Sequence, residues 1–322
     1  AAHPPGRAHR PKDMNTANDT LASLRRRGVC MPVEHYGLWG GGMPKAAWLL
    51  AREMARLGVP VRVFTLNTTP EDVARSRGAG VRVTRVRLRK GHRWSLPQRY
   101  VALRGLAHAL LRPRCIVAIG LDAIAAALLK SPLARRVAVW ECTQATPGNK
   151  FVHPAAAARL RRGAAVLAPS AAIEANLRST YAYDGPVIRL PFWIDPDEAA
   201  DASPAPAADI DFLFLGRKDP EKGLFELLRA FAKLVKDRPA SSLTICGTGD
   251  DAPYAREARD LGITPRVQLT YVKDHSRVGD LIRRSRWLVL PSYHEGYPLT
   301  PLEAFARSRP AILTRVGSVP EM

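Results

Sequence analysis

Cysteine is scarce in this chain of 322 residues, which has four. The four are dispersed and stand mostly within apolar runs, without the paired spacing of a zinc site or a dithiol redox site: Cys30, Cys115, Cys142 and Cys246. We therefore expect them to be reduced core residues of a cytoplasmic protein.

Long apolar segments are also absent from the sequence. The best candidate, residues 115–129, is too short to cross a bilayer and contains Asp122. The first residues, Ala1 to Arg7, lack the apolar core of a signal peptide. We expect residues 1–27 to form a disordered extension, with Met14 as the natural start.

Acidic residues are few in the first 200 residues, where 31 Lys and Arg stand against 13 Asp and Glu, a net charge of +18. The remaining residues hold 18 against 16, a net charge of +2. The densest basic run, Arg75 to Arg99, contains alternating valines that predict a partly buried strand with exposed arginines. Three interpretations stay open: an anionic membrane surface, a nucleic-acid patch, or a solvated arginine-rich face. Because no nucleic-acid-binding motif is present, we prefer the membrane among the functional interpretations.

Two glutamates near the C-terminus, Glu295 and Glu303, flank a predicted loop between a strand and a helix. The run Trp287–Leu290 predicts a buried strand, and Thr300, Pro301 and Glu303 have the spacing of a helix start. Such a loop offers free backbone N–H groups and the positive end of a helix dipole, which suit a phosphate. Glu303 is then either a ligand residue or a capping-box residue bonded to Thr300.

A second strand, glycine turn and helix precede these residues in the chain. The apolar run 211–215 is followed by Gly216, and apolar positions from Leu224 onward keep helical spacing. Arg217 and Lys222 flank the turn. An Arg and a Lys together can neutralise a diphosphate without a metal, whereas either one alone is more typical of a solvated surface.

These motifs carry a resemblance to a known family. Four occur in order: Gly216-Arg-x-x-x-x-Lys-Gly, Gly247-Thr-Gly249, Pro291-Ser-x-x-Glu-Gly-x-Pro-Leu-x-x-x-Glu-Ala and Gly317-Ser-Val-Pro-Glu321. Together they resemble the C-terminal domain of the GT-B glycosyltransferases of family 4, over residues 210 to 321. The sequence departs from the family pattern at Thr270, which replaces a Gly, and at Arg307-Ser-Arg309-Pro310, which replaces Ala-x-Gly-x-Pro.

The N-terminal half resembles the family more weakly. A glycine loop containing Gly41 and Gly42 separates a predicted strand at 29–33 from a predicted helix that ends at Gly58. The loop is either an ordinary strand-to-helix turn or, as the resemblance implies, part of the donor and acceptor site. Glu141 follows a predicted strand at the place where the family has a catalytic-domain His, and we interpret His153 as an ordinary His.

The resemblance implies an α/β GT-B fold, with two Rossmann-like domains and mainly parallel sheets facing across a cleft. We place the domains at 28–194 and 210–322, joined by a Pro/Ala-rich linker at 195–209. The motif Asp195-Pro-Asp197 lies in this linker, so we do not interpret it as a metal-binding Asp-x-Asp. Family members continue past the equivalent of Met322, so the resemblance implies an incomplete C-terminal domain.

The implied activity is retaining transfer of a hexosyl or related sugar from a nucleotide-diphosphate donor to an acceptor hydroxyl, in bacterial cell-surface glycan assembly. It needs no metal and no cofactor, because Arg217 and Lys222 would stabilise the leaving diphosphate. Glu295 would contact the donor sugar, either as a nucleophile or as a charge stabiliser. The donor would be bound by Gly41, Gly42, Gly216, Arg217, Lys222, Gly247, Gly249, Val272, Gly296, Tyr297, Pro298, Leu299 and Glu303.

Expected partners are a nucleotide-sugar, a glycan or lipid-linked acceptor, and the anionic inner face of a membrane. Two alternatives stay open. One is a non-catalytic, basic surface-binding protein that keeps the fold, and the other is a GT-B epimerase or phosphorylase.

Overall fold

The computed structural model describes residues 11–38, 41–86, 95–111, 115–143, 152–195, 208–272 and 276–322. Their strands form two separate sheets in which every neighbouring pair is parallel. The predicted α/β class with mainly parallel sheets is therefore confirmed. Most of the predicted linker, residues 196–207, lies outside the described residues.

The first sheet has seven strands in the order β3-β2-β1-β4-β5-β6-β7. In chain order, β1 to β7 are Val29–His35, Val61–Asn67, Arg82–Arg85, Cys115–Ile119, Val137–Trp140, Ala165–Ala168 and Val187–Arg189. The helices α1 to α7 are Pro11–Arg27, Gly42–Arg56, Pro70–Gly78, Ser95–Leu111, Ala123–Lys130, Pro154–Ala157 and Ala171–Tyr181. The order reverses between β1 and β4, so this sheet is doubly wound.

Alternate residues of β4 enter two different apolar clusters. Ile116 packs with Leu128 of α5 on one face, while Val117 packs with Leu49 of α2 on the other. Because side chains alternate along a strand, a strand that is apolar at every position belongs in the middle of a covered sheet.

The second sheet has five strands in the order β10-β9-β8-β11-β12. These strands, β8 to β12, are Ile210–Leu215, Leu243–Cys246, Val267–Thr270, Ser285–Leu290 and Ala311–Leu313. The helices α8 to α11 are Leu224–Asp237, Ala252–Asp260, Ser276–Arg284 and Leu299–Phe305. Along β8, Phe214 packs with Leu228 of α8, and its neighbours Leu213 and Leu215 pack on the opposite face with Ala304.

The prediction of a disordered extension over residues 1–27 is wrong for Pro11–Arg27, which forms α1. Leu21 and Leu24 pack half-buried against the cluster around α2, and the Arg25 Nε donates to the Leu57 carbonyl at 2.9 Å. This packing stabilises the helix. The sequence did not predict it, because only two leucines of the segment follow an apolar helical pattern. Residues 1–10 lie outside the described residues.

The basic strand is confirmed as β3, in which Arg82 and Arg85 are exposed and Val83 is half-buried. Part of that basic run, from Arg87 to Trp94, lies outside the described residues. No helix in the described part of the chain is long and apolar enough to span a membrane.

Candidate functional site

The central strands of the second sheet bring the two predicted motifs together. β8 lies between β9 and β11, so the chain leaves the carboxyl ends of β8 and β11 in opposite directions along the sheet. Open α/β sheets bind ligands in the crevice at such a switch point. The loops after β8 and β11 are the two that carry Arg217, Lys222 and Glu295.

Lys222 and Glu295 form the centre of the candidate site. The Lys222 Nζ lies 2.8 Å from Glu295 Oε1, and the two side chains are 13% and 10% exposed. Ser292 donates its hydroxyl proton to the same oxygen at 2.6 Å. Two donors on one oxygen fix the orientation of the Glu295 side chain.

Arg217 is more exposed, with 41% of its side-chain surface accessible. Its guanidinium pairs with carboxylates of its own turn, at 3.1 Å from Asp219 Oδ2 and 3.0 Å from Glu221 Oε1. The neighbouring Lys218 is buried instead, where it pairs with Asp251 and donates to the Thr270 carbonyl at 2.9 Å. Lys218 therefore ties the β8 loop to the end of β10, while Arg217 keeps its head at the surface.

The predicted glycines permit close backbone approach at the ends of β8 and β9. A Cβ added to Gly247, whose φ is +159°, would lie 1.6 Å from the Gly216 carbonyl oxygen. One added to Gly249, at φ +131°, would lie 2.7 Å from the Lys218 carbonyl oxygen. Val272 follows β10 and packs half-buried against the cluster around β8. These positions lie at the carboxyl ends of β8, β9 and β10.

The loop after β11 packs against the N-terminal domain. A Cβ at Gly296 would lie 2.2 Å from the Cys142 carbonyl oxygen, so only glycine fits there. Tyr297 packs edge-on against Phe192, with ring centroids 5.3 Å apart. Leu299 is buried in the cluster around α2, and its Cδ1 is 3.9 Å from the Cβ position of Gly42.

The structure changes the expected helix start. α11 begins at Leu299, with Pro298 as its N-cap and no side-chain capping bond, whereas the sequence predicted Thr300 as the cap. Because Pro298 takes the cap position, Thr300 lies within the first turn of the helix. The prediction of a capping box between Thr300 and Glu303 is therefore wrong. Glu303 is instead 2.5 Å from the Nζ of Lys45, and their side chains are 6% and 3% exposed.

Lys45 lies in the first turn of α2, directly after the predicted glycine loop. The N-cap of α2 is Gly41, with φ +108°, a left-handed region value that favours glycine. A cation in the first turn opposes the helix dipole, so it needs a carboxylate nearby. The position of a lysine in the first turn of a predicted helix could have indicated from the sequence that Lys45 pairs with a carboxylate. Nothing in the sequence identified which carboxylate.

Two buried acids lie at the carboxyl edge of the first sheet. Glu141, after β5, is fully buried, and burial raises its pKa to about 7. Its Oε1 accepts from the Thr143 N–H at 2.8 Å, and its buried Oε2 has no hydrogen-bond partner among the residues that the structure describes. Burial also raises the pKa of Asp122, the N-cap of α5, to about 7. His153 is exposed and accepts from the Ala155 N–H at 3.1 Å, as an ordinary cap.

Comparison with known proteins identifies the family. The protein-family model described as "Glycosyl transferases group 1" matches residues 195–322. The family model described as "Glycosyl transferase 4-like domain" matches residues 41–193. The chain belongs to the GT-B glycosyltransferases. The predicted family and the predicted GT-B fold are therefore confirmed.

Similar proteins cover this GT-B chain to different extents. Over 112 residues it is 30% identical to a glycogen synthase of Mycobacterium tuberculosis, a segment that is 34% of this chain and 27% of that protein. Over 114 residues it is 37% identical to a D-inositol 3-phosphate glycosyltransferase of Rhodococcus opacus, 33% of this chain and 26% of that protein. The matched segment thus spans about a quarter of these curated relatives.

Solved structures resemble the GT-B chain over most of its length. A sucrose-phosphate synthase from Thermosynechococcus elongatus has a TM-score of 0.69 at 19% identity, covering 91% of this chain and 82% of that one. WaaG, a glycosyltransferase involved in lipopolysaccharide biosynthesis, has a TM-score of 0.67 at 17% identity, covering 90% and 81%. At these identities the likeness establishes the fold.

Proposed function

We propose that this GT-B protein transfers a sugar from a nucleotide-diphosphate donor to an acceptor hydroxyl, with retention at the anomeric carbon. The observation that carries the proposal is the Lys222–Glu295 pair, 2.8 Å apart at the switch point of the C-terminal sheet. It combines a cation for a leaving diphosphate with a carboxylate beside it that can face a sugar. Both kinds of group are needed when a glycosidic bond to phosphate breaks.

In the proposed reaction the bond between the anomeric carbon and the diphosphate oxygen breaks, and a bond to the acceptor oxygen forms. The acceptor's hydroxyl proton leaves with the diphosphate. Negative charge grows on the diphosphate, where Lys222 and Arg217 stabilise it. Positive charge grows on the sugar, where Glu295 acts either as a nucleophile or as a charge stabiliser. Glu303 holds the ribose hydroxyls, and Gly247 and Gly249 let the base approach the backbone.

The proposal includes independence from metal ions, because two cationic side chains take the role that a divalent ion would have. Activity is expected to survive an excess of chelator. Complete loss with EDTA that Mn²⁺ or Mg²⁺ restores would contradict this part of the proposal.

The decisive experiment measures donor hydrolysis and transfer over a panel of nucleotide-sugars. We expect one donor to release its nucleoside diphosphate, and the product to keep the anomeric configuration of the donor. Binding without release would favour the non-catalytic alternative. Release that requires inorganic phosphate would favour a phosphorylase, and an altered sugar without transfer would favour an epimerase.

We further propose that the acceptor is presented at an anionic membrane, as in cell-surface glycan assembly. The support is the outer face of α4, where Tyr100, Leu103, Leu110 and Leu111 are 42%, 59%, 66% and 83% exposed. Arg99 and Arg104 are exposed on the same helix, whose sequence contains no acidic residue. An apolar face flanked by arginines suits the interface of an anionic bilayer.

Liposome co-sedimentation tests this surface. Vesicles with acidic lipid should bind the protein and neutral ones should not, and binding should weaken as salt shortens the Debye length from about 10 Å at 0.1 M to about 3 Å at 1 M. Replacing Leu103, Leu110 and Leu111 by Gln should abolish binding. The control is Ile312→Gln, at an apolar residue of the other domain that is 49% exposed. Equal binding to both kinds of vesicle would remove the anionic lipid from the proposal, and binding to neither would remove the membrane.

A further inference from the structure

The two domains share a buried ion pair beside the proposed donor site. Lys45 belongs to the first turn of α2 and Glu303 to α11, 258 residues later in the chain. Their charged atoms are 2.5 Å apart, and each side chain is more than nine-tenths buried. No sequence motif links them, since their proximity depends on how the two domains meet.

Neither charge is stable at this depth without the other. A buried carboxylate or ammonium group costs several kcal/mol unless an opposite charge and hydrogen bonds compensate it. Lys45 also faces the positive end of its own helix dipole, which raises the cost further. Each charge therefore compensates the other, and the lysine holds the Glu303 side chain in one orientation.

The surroundings of the pair are contacts between the donor loop and the N-terminal domain. Leu299, four residues before Glu303, packs against the position of Gly42 at 3.9 Å. On the same loop, Gly296 lies against the Cys142 carbonyl. Lys45 thus lies where the N-terminal domain meets the loop that the nucleotide would contact.

We propose that Lys45 is a positioning residue of the donor site, which holds Glu303 as an oriented carboxylate for the ribose hydroxyls. The inference rests on the proposed function and adds to it a residue from the opposite domain. A carboxylate presents about four lone-pair sites, so a lysine on Oε1 is compatible with a hydroxyl donating to the same group. Nucleotide binding is thereby coupled to the contact between the two domains.

The test compares Lys45→Met with Arg52→Met. Both variants remove a cation from α2 that pairs with a buried carboxylate, but Arg52 pairs with Asp195 at the start of the linker. Calorimetry with UDP, GDP and ADP gives the dissociation constants. Lys45→Met should raise Kd for the nucleotide that binds by about tenfold or more, the worth of one charge-assisted hydrogen bond. Arg52→Met should stay within about twofold, because Asp195 lies outside the donor site.

A double-mutant cycle with Glu303→Gln shows whether Lys45 acts through Glu303. In the Glu303→Gln background, Lys45→Met should change Kd by less than about twofold, since the carboxylate that it positions is gone. At saturating donor, Lys45→Met should leave kcat within about threefold while KM rises, which is the pattern of lost binding. A general loss of structure would instead lower kcat, because it reduces the fraction of active protein, without the selective rise in KM.

The other possible results of these measurements overturn either the role of Lys45 or the proposed function. An unchanged Kd in Lys45→Met, or equal effects of that change in both backgrounds, overturns the role of Lys45 alone. A lower Kd also overturns it, because Lys45 would then compete with the ribose. A wild-type protein that binds none of the nucleotides overturns the proposed function and this inference with it. If Lys45→Met does not fold, Lys45→Gln replaces it, with an expected rise of at least about threefold and the same grounds for rejection.

Discussion

The carboxyl edges of the two sheets place their acidic groups in opposite electrostatic settings. At the carboxyl edge of the C-terminal domain's sheet, the carboxylates lie beside cations: Glu295 lies beside Lys222, and Asp219 lies beside Arg217. At the carboxyl edge of the N-terminal domain's sheet, Asp122 and Glu141 are buried, and desolvation raises the pKa of each to about 7. One edge is charged and internally compensated, while the other is close to neutral below pH 7.

This difference indicates what each edge can bind. Paired charges near the surface can exchange their internal partners for those of an anionic ligand at little cost in desolvation. Protonated, buried acids attract no anion, but they can donate hydrogen bonds to neutral groups. In the proposed reaction, the diphosphate of the donor would therefore bind at the carboxyl edge of the C-terminal domain's sheet.

The largest expected effect breaks the charged edge. Lys222→Ala or Arg217→Ala should each slow transfer by on the order of 100-fold, as loss of one stabiliser of the leaving group does. Steady-state kinetics with a saturating donor measures it. Arg229→Ala is the control, because it removes a cation of α8 that is 57% exposed and pairs with Glu257. Turnover within about threefold of wild type for both site variants would show that these cations do not carry the reaction.

The next effect concerns the neutral edge. The pKa of Glu141 rises from 4.5 to about 7 on folding, so the folded protein binds its proton more tightly than the unfolded chain does. The associated stability is complete below about pH 4.5 and is lost as the pH rises through about 7. Glu141→Gln keeps the shape without the ionisation, so it should stabilise the protein by on the order of 2 kcal/mol near pH 8.

Urea unfolding at about pH 5 and about pH 8 measures this pH dependence. The wild type should lose more stability between the two than Glu141→Gln does. The control is Glu71→Gln in the first turn of α3, where the side chain is exposed and the change should leave the pH dependence intact. If both variants keep the wild-type slope, Glu141 is not the group that titrates.

A smaller effect tests the junction between the edges. Glu303→Gln should raise the nucleotide Kd by about tenfold, because an amide accepts fewer hydrogen bonds than a carboxylate. It should also lower the melting temperature, since Lys45 then stays buried beside an uncharged group. An unchanged nucleotide affinity with a lowered melting temperature would make Glu303 a structural residue only.

The sequence predicted the local parts of this architecture and missed the long-range ones. β8, predicted over 211–215, forms at Ile210–Leu215, because short apolar runs bounded by turns specify strands without help from the rest of the chain. The contact of Lys222 with Glu295 follows from two adjacent strands whose loops each carry a glycine motif. The pair of Lys45 with Glu303 was missed, since it depends on the meeting of two domains, and so was α1, whose packing stabilises it.

The smallest effect concerns the end of α11, the helix that carries Glu303. Ser308, which stands where the family pattern has glycine, has φ +55°, in the left-handed region. A residue with a side chain there costs roughly 1 kcal/mol, so Ser308→Gly should raise the free energy of unfolding by about 0.5–1 kcal/mol. Ser179→Gly, in the last turn of α7, is the matched control and should instead lower it by about 0.5 kcal/mol, because glycine is a poor helix former. Destabilisation by both changes would mean that Ser308 makes contacts that outweigh its backbone strain, and the departure from the family pattern would then favour this helix end.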